Sequence, residues 1–117
     1  MDDTSLICVD AEDTALHPLD KDSCHDGEGR LHRAFSVFLF DTHGRVLLQR
    51  RAGGKRLWPG FWSNSVCSHP RWGESLAASV QRRLHEEVGA ATDVEYLFDF
   101  TYQARYGEIG SEHELCH

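Results

Sequence analysis

Apolar residues in this chain fall into short dense runs, a few alternating stretches and one helical stripe. Leu31 to Phe40, L-H-R-A-F-S-V-F-L-F, is rich in aromatic and β-branched side chains and predicts a buried strand. Asp41-Thr42-His43-Gly44 predicts a hairpin turn, with glycine free to adopt positive φ. Arg45 to Arg51, R-V-L-L-Q-R-R, is then the expected return strand, and Ala52 to Arg56 a glycine-bearing basic loop. An aromatic strand or loop follows from Trp58 and carries Cys67 and His69. After Gly73, Leu76, Ala77, Val80, Leu84 and Val88 recur at spacings of three and four, one apolar stripe of a helix. Gly89 is placed to stop that helix, and on its other face Arg83 and Glu87 stand four apart. Val94 to Tyr102 predicts a strand with aromatic alternation, 106–111 a turn, and Glu112 to His117 another strand. Alternation along that strand puts Glu112, Glu114 and Cys116 on one face. The first 31 residues are weakly periodic: Val9, Leu16 and Leu19 support a short edge strand, and 20–30 reads as a loop carrying His25.

Composition narrows this picture. A chain of 117 residues has room for one compact domain. We expect that domain to run over 1–117, with 1–24 a weakly structured lead-in. A net charge of -7 with no basic tail argues against general nucleic-acid binding. The cations are nevertheless concentrated: Arg45, Arg50, Arg51, Lys55, Arg56, Arg71, Arg82 and Arg83 lie in the middle of the chain between acidic ends. A cationic centre in an acidic protein suits a small anionic ligand. Residues 1 to 16 are acidic and lack the apolar core of a secretory leader, and no apolar run approaches the roughly 20 residues of a membrane span. Cys8, Cys24, Cys67 and Cys116 form no C-x-x-C pair, so free thiols in a reducing cytoplasm are expected.

The residues that carry chemistry each have a plain alternative. His25, His32, His69, Glu112 and Glu114 suit a divalent Zn²⁺, Mn²⁺ or Mg²⁺ if the strands bring them together, and are otherwise surface polar groups. Arg51, Lys55 and Arg83 near loop glycines suit a diphosphate cradle, or simply solubilise the surface. Glu86 and Glu87 sit at the helix end where the dipole disfavours negative charge, a conflict that a cation would relieve. Cys67 reads either as a small buried hydrophobe or, with His69 two residues on, as a reactive thiol.

Six motifs together resemble type I isopentenyl diphosphate isomerase, a member of the Nudix fold. They are R-L-H-R-A-F-S (30–36), Q-R-R-A-x-x-K (49–55), W-P-G-F-W-S-N-S-V-C-S-H-P (58–70), G-E-S (73–75), R-R-L-H-E-E-V-G (82–89) and E-H-E-L-C (112–116). The resemblance implies an α+β fold, a mixed β-sheet with the Nudix helix packed on it. It implies conversion of isopentenyl diphosphate to dimethylallyl diphosphate by protonating C4 and deprotonating C2, which needs an acid and a base in a site that excludes water. By the family pattern Cys67 and Glu114 are the two catalytic groups, with Tyr102 supporting the glutamate side. His25, His32, His69, Glu112 and Glu114 match the positions of a Zn²⁺ or Mn²⁺. Glu87 and the Cys67 main-chain carbonyl match a Mg²⁺, and Arg51, Lys55 and Arg83 match diphosphate-binding positions.

Two departures qualify the expectation. In the hydrolytic Nudix box G-x5-E-x7-R-E-U-x-E-E-x-G-U, this chain has Ser68 for the first glycine and Arg83 for the first helix glutamate, while Glu74, Arg82, Leu84 and Gly89 fit. That argues for holding a diphosphate without cleaving it, against the alternative of a Nudix hydrolase of nucleoside diphosphate derivatives. Family members also continue for a further large fraction of a domain. The fold is thus expected to be incomplete at its C-terminal end, and the chain alone marginally stable and weakly active, or a non-catalytic metal- and diphosphate-binding fragment.

Overall fold

The computed structural model describes residues 5–117. Leu-Ile-Cys-Val is a continuous apolar run, and all of it is buried as strand β1 (Leu6–Val9). β2 (Ala15–Leu19) returns antiparallel to it. The turn between them is built on Asp10, whose Oδ1 accepts the N–H groups of Glu12 and Thr14, each at 2.9 Å. The weakly structured lead-in expected over 1–24 is corrected on this point, although residues 1–4 lie outside the described residues. The loop expected at 20–30 is also corrected, because it contains helix α1 (Lys21–His25). The physical reason is local: Asp20 caps the helix, accepting the Ser23 N–H at 3.0 Å and the Ser23 hydroxyl at 2.7 Å.

β3 (His32–Val37) is the core of the buried strand expected over 31–40, which stops at Val37 with Phe38 and Phe40 exposed, and it is the axis of the sheet. Its first half lies between β1 and β8 (Gly110–Cys116), and its second half pairs with β6 (Val66–Ser68). β7 (Phe100–Tyr106) closes the order β2-β1-β3-β8-β7. The β3–β8 pairing is parallel and the others antiparallel, so the sheet is mixed, as the α+β reading implied. A separate two-stranded ribbon joins β4 (Gln49–Arg50) to β5 (Trp62–Ser63).

Helix α2 (Leu76–Val88) starts on Ser75, whose side chain accepts the Ala78 N–H, and ends at Gly89 with φ 66. A left-handed residue is needed there, and only glycine adopts it without steric cost. Val80 and Leu84 pack on Phe35, Val37 and Val66 of the sheet, with Leu76 and Val88 at the margin. Ala77, expected in the stripe, is exposed, and Ser79 is the buried neighbour instead.

Two further expected strands are also shorter or start later than predicted. Only Gln49–Arg50 of the 45–51 return strand is strand, beyond a bridge between Phe40 and Val46. Buried Ser65 takes the place of one rung: its Oγ accepts the Leu39 N–H at 2.8 Å and donates to the Leu47 carbonyl at 2.6 Å, while the Leu47 N–H still donates to the Leu39 carbonyl at 2.9 Å. The 94–102 strand begins only at Phe100, which stands opposite Cys116, where the ladder to β8 stops. Val94, Tyr96, Leu97 and Phe98 are therefore unpaired and exposed. No helix among the described residues is long and apolar enough to cross a membrane.

Candidate functional site

Four elements deliver one ligand-bearing side chain each to a single point. His25 ends α1, His32 opens β3, His69 follows β6, and Glu114 stands beside His32 across the parallel β3–β8 register. Their ligating atoms lie within 4.8 Å of one another. The three rings approach pairwise at centroid distances of 5.0 to 5.7 Å. Gly110 makes this possible at α1: a Cβ there would lie 2.5 Å from the His25 carbonyl oxygen.

The protonation states suit a cation. His25 Nδ1 lies 2.8 Å from the Lys21 carbonyl and His32 Nδ1 2.7 Å from the Arg30 carbonyl. A carbonyl only accepts, so each Nδ1 carries the proton and each Nε2 presents a lone pair. Buried His32 Nε2 has no hydrogen-bond partner. Burial, then the neighbouring His69, pushes His32 down to about 4; burial, then Lys21, pushes His69 down to about 3. Burial raises the Glu114 carboxyl, opposed by His32 and His25. Neutral imidazoles beside one buried carboxyl fit a divalent cation better than an ion pair, and the 3.7 Å between His69 Nε2 and Glu114 Oε2 is long for one. Glu112, expected in the same ligand set, is not in this group; its Oε2 accepts the Tyr102 hydroxyl at 2.8 Å.

His25, His69 and Glu114 of the cluster line a cleft of about 470 Å³, together with Arg51, Lys55, Arg83 and Glu87. Arg83 donates to Glu86 and Glu87 through its Nη atoms, while its buried Nε has no partner. Glu87 also accepts from Gln49 Nε2 at 3.2 Å. Glu86 faces away toward Arg82 and solvent. The sequence reading missed Lys21, which lines the same cleft, and whose charge is felt with those of Lys55, Arg51 and Arg83. Its signal was the i, i+4 spacing to His25, legible only once α1 is known to be helical.

Cys67 is exposed to the cleft, not buried. Crowding by protein raises its thiol, opposed by a hydrogen bond with Ser36. Ser36 Oγ lies 3.6 Å from Cys67 Sγ and 3.5 Å from Cys116 Sγ, a second thiol, pushed up to about 11 by burial. Tyr102 pairs with Glu114 across β7 and β8, and burial, then the charges of Glu114 and Glu112, raises its phenol. Glu112, Glu114 and Cys116 all line the cleft, as the alternation along β8 implied. The arrangement gives a thiol, a phenol and carboxyl groups that can hold or move protons, next to a cationic wall.

The start of α2 is fastened by Glu74, which accepts from Arg82 Nε at 2.8 Å, Arg82 Nη2 at 3.0 Å and the Arg71 N–H at 3.0 Å. Those Arg82 hydrogen bonds hold its carboxyl down at about 2, from 4.5. Its stabilisation is therefore full above pH 4.5 and lost as pH falls toward 2. Denaturant titrations at pH 7 and pH 3 should show Glu74→Gln less stable at pH 7 by about 1–3 kcal/mol. The gap to the unsubstituted protein should narrow at pH 3, and an equal gap at both pH values would refute the assignment.

Comparison with known proteins agrees with this geometry. The family profile described as NUDIX domain matches residues 30–117. The protein called Isopentenyl-diphosphate Delta-isomerase in Serratia proteamaculans is 50% identical over 115 residues, 98% of this chain and 64% of that protein. Isopentenyl-diphosphate Delta-isomerase 1 of Photorhabdus laumondii is 43% identical over 97% of this chain and 65% of its own length. The chain thus spans a little under two thirds of the length of these curated relatives. Among solved structures, that of DR0079 from Deinococcus radiodurans superposes with a TM-score of 0.65 at 20% identity, covering 97% of this chain and 72% of that one, a likeness of fold. With its profile matched from just before β3 to the last residue, this chain belongs to the NUDIX domain family.

Proposed function

We propose that this chain carries the reacting centre of an enzyme that interconverts isopentenyl diphosphate and dimethylallyl diphosphate. The observation that carries the proposal is a single cleft in which Cys67 and Glu114 share the walls with Arg51, Lys55 and Arg83. Such a cleft can anchor a diphosphate at one end and hold a short hydrocarbon between two proton-transferring groups at the other. The names and 43% to 50% identities of the Serratia and Photorhabdus relatives support the same reading. Cys67 and Glu114 act as the acid–base pair on C4 and C2, and Tyr102 supports the glutamate side. Arg83 stands where a hydrolytic box carries glutamate, which favours retention of the diphosphate over its cleavage.

His25, His32, His69 and Glu114 would hold a Zn²⁺ or Mn²⁺, with Glu112 adjoining. Glu87 and the Cys67 main-chain carbonyl would hold a Mg²⁺. Bound there, such cations would supply fixed positive charge beside the carboxyl groups and the diphosphate. The residues fit, since His32 Nε2 is buried without a partner and Glu87 lies beside the cationic wall. The chain acts as one domain over 1–117, in the cytoplasm, on a small-molecule substrate. The test is incubation with isopentenyl diphosphate in deuterated water, read by mass spectrometry. Deuterium in recovered substrate or product without released phosphate is expected; phosphate release without exchange would favour a hydrolase and overturn the reading.

A further inference from the structure

Arg56 lines the cleft beside Lys55, yet its charge is already matched by protein. Its Nη1 donates to the Asp22 carbonyl at 3.0 Å and lies 3.5 Å from the Asp22 carboxylate. Its Nη2 donates to the Asp26 carboxylate at 2.6 Å and to the Ile109 carbonyl at 2.9 Å. One side chain thus joins three pieces: the basic loop after β4, helix α1 with its C-cap, and the turn between β7 and β8.

Both ends of that tie matter to the cleft. The loop carries Lys55, and its turn is closed by the Lys55 N–H on the Ala52 carbonyl at 3.1 Å. Gly53 and Gly54 within it are exposed, with open space where side chains would be. Glycines at such a site leave the loop free to change course. Helix α1 carries Lys21, which feels the like charges of Lys55, Arg51 and Arg83. Like charges gathered without an anion between them repel, and a glycine loop yields first. Cap and cradle therefore need a restraint that adds no net positive charge, and Arg56 set between two aspartates meets that need.

We propose that Arg56 is a positioning residue, a strap that holds the Lys55 loop against helix α1 so that Lys55 and Lys21 face the same diphosphate. The inference rests on the diphosphate reading of the cleft. Arg56 touches no substrate in this role; it acts through Lys55 and Lys21.

The test is calorimetric binding of inorganic pyrophosphate to the metal-loaded protein, with steady-state kinetics on isopentenyl diphosphate alongside. Arg56→Gln should weaken pyrophosphate binding about fivefold to tenfold and raise KM similarly, with kcat within about twofold. Asp26→Asn, which leaves the guanidinium in place and removes its partner, should weaken binding in the same direction. Tighter binding by Asp26→Asn would mean that a freed Arg56 contacts the anion directly, and would overturn the strap. So would unchanged affinity in both variants, or metal lost from the histidine cluster in parallel, which would mark general loosening of α1. Arg83→Ala separates the two levels. If the unsubstituted protein binds pyrophosphate and Arg83→Ala does not, while Arg56→Gln binds normally, the strap alone fails. If the unsubstituted protein does not bind it, the diphosphate reading fails and the strap with it.

Discussion

Cys67→Ala is expected to lower isomerisation of isopentenyl diphosphate by about 10³-fold or more in kcat, within the range that a positioned general acid or base supplies and at its upper end. The thiol lines the cleft, and Ser36 on the neighbouring strand lies 3.6 Å from it as a hydrogen-bond partner. A methyl group in its place can neither give nor take a proton. The same substitution should do little elsewhere. Cys67 is exposed, its side chain belongs to none of the apolar clusters, and its truncation should cost less than about 1 kcal/mol of stability. Pyrophosphate affinity should stay within about threefold, because the cationic side chains are untouched. The measurement is therefore threefold on one sample: deuterium exchange into substrate, melting temperature and metal content. Retention of more than a tenth of the exchange rate would remove Cys67 from the chemistry. Loss of exchange together with loss of metal would instead place it in the support of His69.

The sequence was most legible where one short pattern decides the structure. β3 is a dense aromatic and β-branched run, and α2 has a clean apolar stripe with Gly89 at its end, so both elements lie where they were expected. The site was legible to the extent that its residues ride on those elements. Glu114 and Cys67 reach one cleft, and buried His32 joins Glu114 in the ligand cluster, because β6 and β8 both pair with β3. What the pattern concealed came from single polar groups acting at a distance. Ser65 takes the place of one rung of the 38–47 hairpin through two main-chain bonds, and nothing in the alternation of Arg45 to Arg51 announces a hydroxyl from residues away. Asp20 makes a helix out of a stretch with no apolar period, which hid Lys21. β1 was passed over because four apolar residues are too few to show a period, although their being continuous is itself the mark of a strand buried on both faces. Glu112 and Glu114 could not be told apart by alternation, since both face the cleft; burial of Glu114 in the histidine cluster and the Tyr102 hydroxyl bond to Glu112 separate them.

His32→Ala is expected to empty the histidine cluster of metal. His32 is fully buried, its Nδ1 is fixed on the Arg30 carbonyl, and its Nε2 has no hydrogen-bond partner. A buried lone pair with no partner costs roughly 1–3 kcal/mol, and a cation shared with His25, His69 and Glu114 offsets that cost. Removing a direct ligand should weaken binding by more than the 10- to 100-fold typical of an outer partner, so dialysed protein should fall from about one Zn²⁺ or Mn²⁺ per chain to almost none. Elemental analysis reads this directly, without an activity assay. Chelator treatment should lower the melting temperature of the unsubstituted protein and leave that of His32→Ala where it was, because metal bound only to the folded state stabilises it. His113→Ala is the control. Its ring stands on the same strand as Glu114 but its Nδ1 is turned to the Gly29 carbonyl at 3.3 Å, outside the cluster. That variant should keep its metal, and the contrast matters because both changes truncate an imidazole near the same strand. Equal metal in His32→Ala and the unsubstituted protein would mean that the cluster is a packed set of neutral rings. Glu114 would then be free of any ligand role, and its buried carboxyl would serve the acid–base chemistry alone.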